Sequence, residues 1–261
     1  MKNYHTHTFR CKHADGDVLD YAQAALNKGF TLLGITDHTP LPDDRWLHLR
    51  MAVSELPAYA GVIDQAQEKN PDLTILKGAE CEWAPEYHSF FREVLLGEYG
   101  FDYLILGCHF FPFQGSWISS HGNLADPRRL VAYTNYLVES MQSGLFAFVA
   151  HPDLFGLSYA EWDKNTVTAS REILQAAEDL DLPLEINGYG MTKRVIETSQ
   201  GVRTAYPWRS FWELAREYHV KVVVNSDAHR PDYVDLGFRE GHKMVKDLGL
   251  TLANLDYLEG R

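Results

Sequence analysis

Positive charge is in short supply: 24 Lys and Arg face 36 Asp and Glu in 261 residues, a formal net charge of −12. A chain this acidic lacks the basic surface by which proteins follow a nucleic-acid backbone through counterion release, so no nucleic-acid partner is expected. Cysteine is scarce as well. Cys11, Cys81 and Cys108 are odd in number, widely spaced and without a CxxC pair, which speaks against a disulfide framework or a zinc ribbon and for small buried thiols. There is no run of about 18 apolar residues, and the opening MKNYHTHT has no charged-then-apolar secretion signal. A cytoplasmic protein without a membrane partner is expected. Repeats, low-complexity segments and Pro/Gly/Ser linkers are missing too, so the 45% of hydrophobic residues are expected to form one core in a single domain over 1–261.

What the sequence has in abundance is alternation. Short apolar runs suited to buried strands lie at 3–8, 31–38, 73–81, 103–110, 146–152, 182–187 and 221–229, and amphipathic helical segments lie between them. In the first helix, at 17–29, Asp17 suits the N-cap, Gly29 the end, and Val18, Tyr21, Ala22 and Ala25 one face. Others are expected near 54–69, 86–98, 127–144, 166–180, 207–219 and 233–248. Repeated βα units imply a parallel sheet, and right-handed crossovers favour a closed or nearly closed α/β barrel, with an open doubly wound sheet as the alternative. The segments 39–53, 111–126 and 188–206 read as long loops.

Polar residues fall at one place in this pattern. Nearly every strand candidate is apolar until its last residues, where a metal-ligand type appears: His5 and His7, Asp37 and His38, Glu80 with Glu82, His109, His151, and Asp227 with His229. In parallel α/β barrels the C-terminal strand ends converge on the face where active sites are built. The HxH at 5–7 puts both imidazoles on one side of a strand, and Asp-x-His at 227–229 repeats the geometry. Imidazole with carboxylate suits Zn, Mn or Fe, and so many donors exceed the needs of one tetrahedral site. His48, His88, His121, His219 and His242 lie in expected loops or helices and read as surface or packing residues, although His121 sits in a loop that can line the pocket.

Together these residues resemble the polymerase and histidinol phosphatase (PHP) family of metal-dependent phosphoesterases. The match runs along essentially the whole chain: HxH and a further His at His5, His7 and His13; ITDH at 35–38; GxE at 78–80; GxH at 107–109; AHP at 150–152; SDAH at 226–229. The resemblance implies a distorted (β/α)7 TIM-like barrel with its metal site at the C-terminal ends of the strands. It also implies three divalent ions: one held by His5, His7, Glu80 and Asp227, a second by Glu80, His109 and His151, a third by His13, His38 and His229. Glu80 would bridge the first two, and Glu80, Asp227 and His229 would be the catalytic residues. Asp15 competes as a ligand, and Asp37 suits the orientation of a neighbour.

Such a centre would be strongly positive in an acidic protein and would suit a phosphate dianion, attacked in line by a hydroxide that metal coordination generates near neutral pH. Lys193, Arg194 and Arg203 in the loop after strand six could clamp phosphate. That segment, its closing Tyr206-Pro207, the opening HTHTFRCKHADG and GCHFF at 107–111 resemble the histidinol-phosphatase branch, which implies a small phosphomonoester, L-histidinol phosphate, as substrate. Its imidazole and ammonium would need neighbours such as Glu82, Trp83, Phe110, Trp117 or His121. The alternatives are another sugar or nucleotide phosphoester, and a metal-stabilised binding module without turnover.

Overall fold

In the computed structural model, which describes residues 1–259, Asp17 caps the first helix as its position suggests. Its carboxylate accepts from the Val18 N–H at 2.8 Å while its own N–H donates to Asp20 at 2.8 Å, which satisfies donors that a helix start leaves open. The helix, α1 (Val18–Asn27), buries the expected Val18, Tyr21, Ala22 and Ala25.

The chain divides into two compact units, one made of Met1–Ile105, Asn225–Phe238 and the residues from Asn254, the other of Leu106–Val224 and Arg239–Ala253. In the first, strands β1 (Lys2–Asn3), β2 (Leu32–Ile35), β3 (Thr74–Cys81) and β4 (Tyr103–Leu106) lie side by side in that order. The β1–β2 and β2–β3 pairs are parallel, with Lys2 opposite Leu32 and Leu32 opposite Thr74. Helix α2 (Leu56–Lys69) joins β2 to β3, and the helix expected near 86–98 is a π-helix at Phe90–Glu98.

A strand over 3–8 is not what forms. The ladder ends at Asn3 because side chains take over the next backbone donors: Tyr4 N–H donates to Asn225 Oδ1 at 2.9 Å, His5 N–H to Asn3 Oδ1 at 3.2 Å, Thr6 N–H to Thr36 Oγ1 at 3.2 Å and Thr8 N–H to Asp37 Oδ1 at 2.8 Å. Only His7 N–H reaches a backbone oxygen, that of Ala228 at 2.9 Å. The segment stays extended and all its donors are satisfied, as burial demands.

Beneath it, Tyr103 is fully buried and its hydroxyl donates to Tyr4 O at 2.6 Å. Two glycines make room for it. A Cβ on Gly34 would meet the Tyr103 hydroxyl at 1.9 Å, and one on Gly78 would meet its ring at 2.8 Å, so at both positions a side chain would displace the ring rather than pack on it.

The second unit contains the hairpin β5 (Phe110–Phe113) and β6 (Ser116–Ser119), helices α3 (Pro127–Met141) and α4 (Lys164–Asp179), strand β7 (Leu184–Asn187), a second hairpin of β8 (Ile196–Thr198) and β9 (Gly201–Arg203), α5 (Arg209–Ala215), β10 (Lys221–Asn225), α6 (Phe238–Leu248) and β11 (Thr251–Leu252). The order β11-β10-β7 forms one sheet, with β10 and β11 parallel. Two expected loops therefore hold hairpins. Gln114 and Gly115, both at positive φ (51° and 80°), make the tight turn of the first, the backbone that suits the twist of two strands joined by two residues. The strand expected over 146–152 shrinks to parallel bridges from Val149 to Leu106 and Leu184, because His151 turns to φ 32° and ends the extension. The strand expected at 103–110 stops at Leu106, and Phe110 begins the hairpin. The chain is thus an α/β protein with parallel strands, and among the described residues no helix is long and apolar enough to cross a membrane.

Candidate metal centre

At the end of the β1 segment in the first unit, His5 and His7 present their Nε2 atoms 3.0 Å apart. Glu80 Oε2 lies 3.6 Å from His5 and 3.4 Å from His7, and Asp227 Oδ1 lies 3.4 Å and 3.1 Å from the same two nitrogens. All four side chains are buried. Ligands held about 2.0–2.2 Å from a tetrahedral ion stand roughly 3.3–3.6 Å apart, so these separations are close to the edges of such a shell. Asp227 has φ 52°, in the left-handed region that costs a non-glycine residue on the order of 1 kcal/mol and tends to persist where function needs it.

Beside this set, His13 Nδ1 lies 2.6 Å from Cys11 O and His229 Nδ1 lies 2.9 Å from Asp227 O. A carbonyl only accepts, so both Nδ1 atoms carry the proton and both Nε2 atoms, in neutral rings, carry lone pairs. Those two Nε2 atoms face each other at 3.0 Å. Burial drives the pKa of His229 well below the usual imidazole value, so its neutral form dominates and the opposed lone pairs repel unless a cation lies between them. The donor set therefore fits metal ions. His38 is drawn in as well, its Nδ1 3.1 Å from Glu80 Oε2 and its ring stacked on His13 at 5.4 Å.

Asp37, the first acid of ITDH, holds the strand end in place. Its carboxylate accepts from the Thr8 N–H at 2.8 Å and the Thr8 hydroxyl at 2.7 Å, one residue beyond His7. Burial pushes its pKa up to about 7 against the opposing pull of the Thr8 hydrogen bonds. Asp15 is exposed and meets His229 through its backbone N–H, at 2.9 Å from the His229 carbonyl.

In the second unit, His109 and His151 bring their Nε2 atoms to 3.2 Å. The His121 ring stacks on His109 at 5.3 Å with 12° between the planes, so the loop histidine kept as a pocket candidate stands against an expected ligand. His151 is held through its backbone: its N–H donates to Glu185 Oε2 at 3.0 Å, and Asn187 donates to the same oxygen at 2.7 Å. Sequence reasoning passed over Glu185, although a charged residue inside the apolar LPLEIN was its signal. Asp153 went unnoticed too. This fully buried acid accepts from Trp208 N–H and from Trp212 Nε1 at 3.1 Å, and burial lifts its pKa to about 6.

The substrate-clamp candidates separate. Arg203 does not have donors to spare: Nε donates to Ala160 O, one terminal nitrogen to Thr204 O and Ala205 O, and the other to Gly156 O and Tyr159 O, with the guanidinium 3.5 Å over the Trp208 ring. Five N–H donors committed to carbonyls leave none for a bidentate phosphate, so Arg203 is a structural residue rather than a clamp. Lys193 sits 3.7 Å over the Tyr189 ring and Arg194 is exposed. Glu82 is buried 3.6 Å from Arg50, which also donates to Thr39 O at 2.9 Å. Trp83 is buried, and Trp117 packs edge-on against Tyr136. Among the described residues, the groups with metal-ligand spacing do not include His48, His88, His219 or His242.

Three comparisons bear on this geometry. A model of the PHP domain matches residues 3–188, a span that ends before Asp227 and His229. A "Probable histidinol-phosphatase" from Deinococcus radiodurans is 33% identical over 255 residues, covering 94% of this chain and 92% of that protein, and the "Histidinol-phosphatase" of Bacillus subtilis is 33% identical, covering 90% and 94%. The crystal structure of histidinol phosphate phosphatase from Lactococcus lactis, complexed with zinc, L-histidinol and phosphate, superposes with a TM-score of 0.72 at 16% identity over 97% of this chain and 95% of that one. At that identity the likeness is one of fold.

Proposed function

This chain belongs to the PHP domain family, and from that premise we propose that it is a metal-dependent phosphatase that hydrolyses L-histidinol phosphate to L-histidinol and phosphate. The carrying observation is the set of five donor separations of 3.0–3.6 Å among His5, His7, Glu80 and Asp227. The names of two relatives at 33% identity supply the substrate. Bound divalent ions would supply positive charge for the phosphoryl oxygens and water acidified enough to attack phosphorus near neutral pH.

The chain's own residues then have separable tasks. His5, His7, Glu80 and Asp227 hold one ion. In the finer reading there would be three ions, Zn, Mn or Fe: His109 and His151 would hold a second, sharing Glu80 with the first, and His13, His38 and His229 would hold the third. This partition rests on the family resemblance alone. Asp37 and Glu185 fix the backbones that carry His7 and His151. Lys193, Arg194, Glu82 and His121 remain the proposed contacts to substrate, and Glu80, Asp227 and His229 the catalytic residues. The same reading has one domain over 1–261 in a distorted (β/α)7 barrel, which the Lactococcus lactis likeness supports, working in the cytoplasm on a small phosphoester and not on nucleic acid.

Phosphate release from L-histidinol phosphate, p-nitrophenyl phosphate and a nucleotide panel, with Zn or Mn supplied, tests the proposal. L-Histidinol phosphate should have the highest kcat/KM. Equal rates on generic esters would overturn the substrate, and no release from any would favour a binding module.

A further inference from the structure

Cys11 ends a short 3-10 turn, Phe9–Cys11, that Lys12 closes at φ 69°. The turn sends Lys12 to solvent and Cys11 inward, where it is 0% exposed. Its sulfur lies within 4.8 Å of ring nitrogens of both His13 and His229, and within the same distance of donors on His7 and Asp37. A thiol that merely fills space has no need of four ligand-type groups around it. The chelate is local too, since His13 is tied through Nδ1 to the carbonyl of Cys11 itself, so the two residues hold their donors in one rigid piece of backbone.

We propose that Cys11 supplies a thiolate to the ion held by His13 and His229, making that site a cysteine-and-histidine site chemically distinct from the carboxylate-rich set of His5, His7, Glu80 and Asp227. The inference rests on reading these residues as a metal centre but not on the identity of the substrate. A bound divalent cation would stabilise the thiolate, with the S–H bond exchanged for a sulfur–metal bond and the proton released to solvent. Three imidazoles, those of His13, His38 and His229, fill three positions of a tetrahedral shell and leave one that sulfur can fill. A thiolate among imidazoles favours Zn, Co or Fe over Mn or Mg.

The test is a cobalt titration of the metal-stripped full chain. A sulfur-to-cobalt charge-transfer band in the near ultraviolet should grow to saturation with one equivalent of the bound ions. Cys11→Ser should lose that band, keep the visible cobalt bands of the other sites, and bind one Zn about ten-fold or more weakly. On the unmodified zinc protein, X-ray absorption should find sulfur at about 2.3 Å. Visible cobalt bands without sulfur charge transfer, or a band that survives in Cys11→Ser, would overturn the thiolate while leaving the metal centre standing. A chain that binds no cobalt at all would overturn both.

Discussion

In the first unit, His5 and His7 face two carboxylates at 3.1–3.6 Å, and side-chain oxygens from Asn3, Thr36, Asp37 and Asn225 pin the backbone around them. In the second, His109 and His151 face each other with a third imidazole stacked alongside, and one carboxylate, Glu185, fixes the backbone of His151. Two imidazoles with two carboxylates supply a full tetrahedral shell and cancel the charge of a divalent ion. Two imidazoles alone supply half a shell and no charge. The first arrangement is built to retain its ion, and the second depends on donors beyond the pair.

Glu80→Gln gives the largest expected effect, because it strips negative charge from the better set: kcat/KM on L-histidinol phosphate should fall on the order of 10³-fold, measured by phosphate release with metal in excess. Full activity would erase the distinction between the two sets. Glu185→Ala, which removes the acceptor for the His151 N–H, should weaken retention of the His109 and His151 ion about 10–100-fold while the first unit's ion stays bound, read as metal content after dialysis against graded chelator. If both ions leave together, the pair in the second unit is no weaker than the first.

Smaller effects test the scaffolding. Arg203→Ala should cost about 2 kcal/mol in denaturant unfolding, from several lost hydrogen bonds to carbonyls, with KM essentially unmoved; a large rise in KM at unchanged stability would restore the phosphate clamp. The smallest effect concerns pH in the metal-stripped protein. Asp37 and Asp153 have folded-state pKa values raised to about 7 and about 6 from the usual 3.8. The folded state therefore holds protons that the unfolded state releases. The stability that these two groups contribute is full below about pH 4 and lost as pH rises, through about 6 for Asp153 and about 7 for Asp37. Thermal melts should fall over that window, and Asp153→Asn should remove only its lower part.

How much of this was legible depends on the distance over which each feature is decided. The alternation of strands and helices and the α1 cap at Asp17 follow from local pattern, and the structure places them accordingly. The early end of β1 did not follow, because its donors are taken by Thr36, Asp37 and Asn225, far away in sequence. The two hairpins were hidden because neither Gln114-Gly115 nor Ser199-Gln200 is among the strongest turn signals. Arg203 was misread for a related reason: a lone cation in a polar loop looks the same whether it meets phosphate or five carbonyls.

Gly34, Gly78 and Tyr103 are spread over 70 positions yet act as one inherited piece. Because the tyrosine's hydroxyl sets the height of the Tyr4 carbonyl just before His5, the three together work as a gauge for the first chelating strand. A designer grafting the HxH motif onto another scaffold would have to carry all three, and a lineage that changed either glycine alone would pass through a misaligned centre before any compensation at Tyr103 could rescue it.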